Sequence, residues 1–138
     1  MNFQLMKQLT VWFSCIKLKK EKVENFEWIL TLSYASSFRS HAALLKLPQW
    51  HHKWLAYVHD PYPMHSYPRP YDWVEPGHLY KRNFFLKISK GARYMLYPSL
   101  YLSEWMASYY HEAKGKAVII PHQISEVAKI NFDQEVFG

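Results

Sequence analysis

The stretch W54-L-A-Y-V-H-D-P-Y-P-M-H-S-Y-P-R-P-Y-D-W73 decides how this chain is read. It opens as a buried strand, Trp54–Val58, and breaks at His59-Asp60 into a loop with four prolines and several aromatic rings. A continuous apolar run of five residues that ends abruptly in turn-formers is the pattern of a strand covered on both faces. Working outward, the same pattern recurs at Trp28–Leu32 (WILTL), Tyr94–Tyr97 and Ala117–Ile120 (AVII), the last two stopped by Pro98 and Pro121.

Helical spacings lie between these runs. Ser36 or Ser37 can cap a helix reaching Leu47, with Phe38, Ala42, Leu44 and Leu45 inward and Pro48 as its stop. A second helix is expected over 78–91, with Leu79, Phe85 and Ile88 on one face and Gly91 at its end. Ser99 is placed to cap a third, which carries Leu102, Trp105, Met106 and Tyr109 and ends by Gly115. Residues 1–24 read as an amphipathic helix closing in a basic run, and 125–138 as a linker. Alternating strands and helices predict an α/β domain over 25–124, Rossmann-like. It has a parallel sheet of about four strands and helices on both faces. Loops after such strands lie at their carboxyl ends, where open α/β sheets bind ligands. His59-Asp60, Pro98-Ser99 and Pro121-His122 should therefore share one sheet edge.

Composition narrows the chemistry. With 138 residues, 49% hydrophobic, the chain can bury one core. Six Trp and eleven Tyr suit either a small aromatic core or a ligand that is half apolar, half polar. A formal charge of +6 permits an anionic partner, and KLKKEK at 17–22 reads as a solvated helix face or a membrane-surface patch. One cysteine, Cys15, excludes an internal disulfide and suits a reducing, cytoplasmic compartment. No apolar run approaches the ~20 residues of a membrane span.

Several classes drop out. His51, His52, His59, Asp60 and His65 cluster in sequence without a metal motif, and a five-residue strand separates His51 and His52 from His59 by about 16 Å. No metal and no cofactor is expected. There is no GxSxG, and four scattered glycines make no phosphate-cradling loop. No RNP-like strand or Arg-rich recognition helix supports nucleic-acid binding. A sugar-like ligand fits better: Tyr62, Tyr67, Tyr71 and Trp73 offer flat apolar faces, and His59, Asp60 and Arg69 offer hydrogen bonds. The same loop could simply pack over the sheet.

Three motifs, HDPYP with the following YPRPY, then YPSLYLSEWM, then IIPHQ, with WILTLSYASSF before them, resemble the N-terminal domain of bacterial family 4 glycosyltransferases of the two-domain GT-B class. The likeness runs from about residue 25 to 124. It implies a Rossmann-like acceptor domain facing a second domain that binds a nucleotide-sugar donor. The reaction implied is a retaining, metal-independent sugar transfer to a glycan or lipid-linked acceptor, in the cytoplasm or at the inner face of the membrane. His59, with Asp60 beside it, matches the histidine that lies next to the donor sugar in this class. Tyr62, Tyr67, Arg69, Tyr71, Ser99 and His122 are the expected substrate contacts. The nucleotide-binding domain is not among these 138 residues, so the chain reads as a piece of an enzyme of about 300–400 residues, inactive alone. The alternative is a stand-alone binding or interaction module with the fold and no chemistry.

Overall fold

A computed structural model describes residues 25–33, 37–62 and 78–122. The segments expected as the N-terminal helix and the C-terminal linker lie outside the described residues. Four strands form one sheet: β1 Ile29–Leu32, β2 Trp54–Tyr57, β3 Tyr94–Tyr97 and β4 Ala117–Ile119. Their order is β1-β2-β3-β4 and every pairing is parallel. Each strand lies within a residue or so of its expected place, because short apolar runs cut by His-Asp or Pro leave little freedom in where pairing stops. The chain is α/β with a parallel sheet, as the alternation predicted.

Among the described residues the helices are α1 Arg39–Leu44, α2 His78–Gly91 and α3 Leu100–Tyr109. Of these, α1 is shorter than expected. It starts after Phe38, with no side chain capping it, and Ser40 Oγ instead donates to Leu32 O at 2.9 Å. Pro48 opens a 3-10 turn, Pro48–Lys53, that delivers the chain into β2; a proline at the first position of such a turn needs no N–H partner. In α2 the inward residues are Phe85 and Ile88, both fully buried, whereas Leu79 is 66% exposed. Leu79 precedes Phe85 by six residues, which turns it well off that face. In α3, Leu102 and Met106 are buried four apart, and Ser99 Oγ accepts from Leu102 N at 3.2 Å as a side-chain cap. A 3-10 turn, His111–Ala113, follows, and Gly115 at φ 85° takes the left-handed turn before β4.

One sheet face holds the core. Trp54, Ala56 and Val58 of the β2 run and Met95 and Tyr97 of β3 join Phe38, Leu44, Phe85, Ile88, Leu102, Met106 and Tyr110 in a single buried cluster. All three described helices contribute to it. Strand order that advances by one neighbour each time, with right-handed crossovers, puts every crossover helix on the same side. The expectation of helices on both faces therefore narrows: the described helices occupy one.

The register fixes what lies on the other face. Leu30 pairs with Leu55 and Leu55 with Tyr94, while Leu32, Tyr57, Leu96 and Val118 form the next row. Leu30 and Leu32 are 53% and 54% exposed, and Val118 and Ile120 are also exposed. WILTL, which reads as covered on both faces, is thus open on this one, whereas Tyr57 and Leu96 between the outer strands are buried and β4 is exposed on both of its faces. Among the described residues no helix is long and apolar enough to cross a membrane.

Two polar devices tie the sheet to its helices. The indole Nε1 of Trp54, wholly buried, donates to Thr31 Oγ1 at 2.8 Å. Lys116 Nζ donates to the carbonyls of Ser89, Lys90 and Ala92, each at 3.0 Å, closing the end of α2 against the entry to β4. A cation there meets both orphan carbonyls and the negative end of the helix dipole.

Candidate functional site

Pairing of β2 with β3 continues one residue past the strand, through Val58 N to Leu96 O at 2.9 Å. His59 is therefore the first residue to leave the sheet at its carboxyl end. Its backbone N–H donates to Ser33 Oγ at 3.1 Å, and Ser33 N donates to Tyr57 O at 3.2 Å. Ser33 is buried and sits just past β1. These bonds pin the backbone at His59, so that its imidazole is held at the edge.

That imidazole meets a second one. His59 Nδ1 and His122 Nε2 are 3.3 Å apart, with ring centroids at 4.9 Å and planes within 8°. The two residues are 63 positions apart in sequence. β4 brings them together: Ile120 N donates to Tyr97 O at 2.8 Å, and Tyr57 OH donates to Ile120 O at 2.7 Å, which fixes where Pro121-His122 departs. The Tyr57 ring lies 4.5 Å from His59 and 6.0 Å from His122, forming the floor under both.

A ring nitrogen can accept from its neighbour only while its own site is unprotonated, so this contact holds at most one shared proton between the facing nitrogens. Burial pushes the His59 pKa below its ordinary value, His122 pushes it the same way, and Asp60 partly offsets them. Burial raises that of Tyr57. Near neutral pH the pair therefore offers a neutral imidazole, able to donate or accept, at a partly open edge.

Behind it lies His41, which the sequence reading passed over. It is fully buried on α1, with Nδ1 3.5 Å from Ser40 Oγ and no partner for Nε2. Burial first pushes its pKa down to about 3; the Tyr57 main chain acts upward, and His59 acts downward again. Nothing in a six-residue helix with one histidine signals burial; packing by Phe38, at 5.1 Å between ring centroids, and Trp54, at 6.2 Å, decides it.

The remaining expected contacts divide. Asp60 is exposed beside His59. Ser99 sits at the head of α3, after β3, and its hydroxyl serves as the helix cap. Tyr62 turns into the core: its ring is buried against Phe38 and Phe85, at 4.6 and 5.8 Å between centroids, and its carbonyl accepts from Tyr110 OH at 3.0 Å. It packs the first residues of the loop onto the helices and offers no ring face at the edge. Tyr67, Arg69 and Tyr71 lie outside the described residues. Among the described residues no group of three His, Cys, Asp or Glu side chains could hold a metal ion. Ser33, Tyr57 and His41 are the additions that only the fold supplies. Against protein-family models, curated proteins and solved structures, the chain gives no match.

Proposed function

We propose that this chain is the acceptor-binding part of a retaining GT-B glycosyltransferase similar to family 4, with the edge at His59 and His122 as its sugar-facing site. One observation carries the reading. His59 belongs to HDPYP and His122 to IIPHQ, two separate motifs of the resemblance, and their rings are in contact at the carboxyl edge of a parallel sheet. Two sequence signals that point to one chemistry converge on one place, which is the place where such sheets bind ligands.

In this reading the His59–His122 pair hydrogen-bonds sugar hydroxyls, Asp60 takes a further hydroxyl, and Tyr67 and Tyr71 rather than the buried Tyr62 are the candidates for apolar contact with the sugar ring. The donor nucleotide binds a second domain, and this chain by itself transfers no sugar. NMR titration of the chain with a panel of methyl hexosides tests the first part. The expected result is that the imidazole signals of His59 and His122 shift together with at least one sugar, and that His59→Ala abolishes the effect while the sheet signals stay in place. Shifts confined to other surfaces would overturn the site. Release of nucleotide from a sugar nucleotide by the chain alone, above a buffer control, would overturn the division of labour.

A further inference from the structure

On the helix-covered side of the sheet, away from His59 and His122, a cleft of about 660 Å³ runs between α1 with its following turn and α2. That volume lies within the ~300–1,000 Å³ of small-molecule sites. Because β1, β2 and β3 are parallel, α1 and α2 both run back from the carboxyl edge of the sheet to the amino edge. The cleft follows them from Tyr80 to Lys90, or about 15 Å of helix.

Its two ends differ in chemistry. Tyr80 and Phe84, with Ala42 and Leu45 opposite, give an apolar floor, and Lys46, Lys87 and Lys90 stand toward the amino edge. His51 and Gly91 close that end. The His51 Nε2 donates to Leu44 O at 2.9 Å. A Cβ at Gly91 would stand 3.1 Å from the His51 ring and 3.2 Å from that of Trp54, so a residue without a side chain lets the imidazole sit this close.

The walls carry one sign of charge. Residues 37–53 and 78–91 hold seven Lys or Arg and no Asp or Glu. Lys90 meets Glu112 at 3.6 Å on the surface, and among the described residues no carboxylate pairs with Lys46 or Lys87. Three ammonium groups over an apolar floor complement a molecule with an anionic head and an apolar body. Helical walls have their main-chain groups bonded internally, so an extended peptide would find no partners there for its own N–H and C=O groups. An alkyl chain has none to satisfy.

We infer that this cleft binds a single-chain alkyl carboxylate, with its head against Lys46, Lys87 and Lys90 and its chain along Leu45, Phe84 and Tyr80. The site is separate from the sugar-facing edge and does not rest on the glycosyltransferase reading.

NMR titration of the full chain with decanoate, with 1-decanol and propionate as controls, tests this. Decanoate should shift the amides of Leu45, Lys87 and Gly91 saturably. The controls should each bind about tenfold more weakly or worse, since one lacks the charge and the other the chain. Replacing both Lys46 and Lys87 with Ala should weaken decanoate by about tenfold or more, with the urea midpoint unchanged because both side chains are exposed. Tyr80→Ala should weaken decanoate and leave propionate as it was. Equal binding of 1-decanol and decanoate, or full affinity in the double variant, would overturn the inference. So would an inert decanoate, whatever else binds: shifts with an alternating Glu-Leu peptide would then assign the cleft to a protein partner, and sedimentation with phosphatidylglycerol vesicles would assign it to a bilayer surface.

Discussion

Acid should destabilise this protein through one residue, His41. Its side chain is fully buried and its folded pKa is about 3, against 6.5 for an ordinary histidine. At pH 7 neither the folded nor the unfolded chain holds the extra proton. Below 6.5 the unfolded chain takes it up and the folded one does not until about pH 3. The folded pKa is the lower one, so stability is full above the unfolded value and is lost as pH falls through that window. One pKa unit corresponds to about 1.4 kcal/mol. At pH 5 the loss is therefore about 2 kcal/mol, a large part of the ~5–15 kcal/mol that a domain commands. His59 acts in the same direction, since its pKa is also lowered, but it sits at an open edge and adds less. Urea unfolding of the wild type and of His41→Gln at pH 7, 6 and 5 measures the effect. The variant is less stable at pH 7, because its amide is buried without full partners, and its loss between pH 7 and 5 should be smaller by about 2 kcal/mol. An equal pH slope in the two proteins would refute burial of a neutral His41 as the cause.

Three further outcomes follow from named contacts. Trp54→Phe should lower stability by about 1–3 kcal/mol in urea titration, since it leaves a cavity and takes the donor from Thr31 Oγ1; an unchanged midpoint would deny that bond any weight. Lys116→Met should cost about 1–2 kcal/mol and Lys116→Arg less, with hydrogen exchange faster in the last turn of α2, where three carbonyls lose their cation. Ser99→Ala should cost about 1 kcal/mol through loss of the α3 cap and leave sugar-induced shifts at His59 intact; if the shifts vanish instead, the hydroxyl touches ligand as well.

The positions of the strands were legible because local chemistry sets them. Apolar runs stop where His59-Asp60, Pro98 and Pro121 end pairing, and the carboxyl edge on which these loops gather follows from alternation with helices. Ser99 as a cap was equally local. What covers a strand is not local. WILTL has the apolar continuity of a buried strand, yet Leu30 and Leu32 are open, because strand order and crossover hand decide which face receives helices; AVII is exposed on both faces, because β4 stands at the end of the strand order and pairs with β3 alone. Leu79 and Tyr62 show the same limit from both sides. One is apolar and exposed because the helix turns it outward; the other is polar-tipped and buried because Phe38 and Phe85 close over it. The meeting of His59 with His122 across 63 residues, and the burial of His41 behind them, exist only once β2, β3 and β4 lie side by side. Sequence determined which residues end the strands, since turn chemistry acts over a few bonds; the tertiary structure decided which of those ends touch, since pairing order acts over the whole chain.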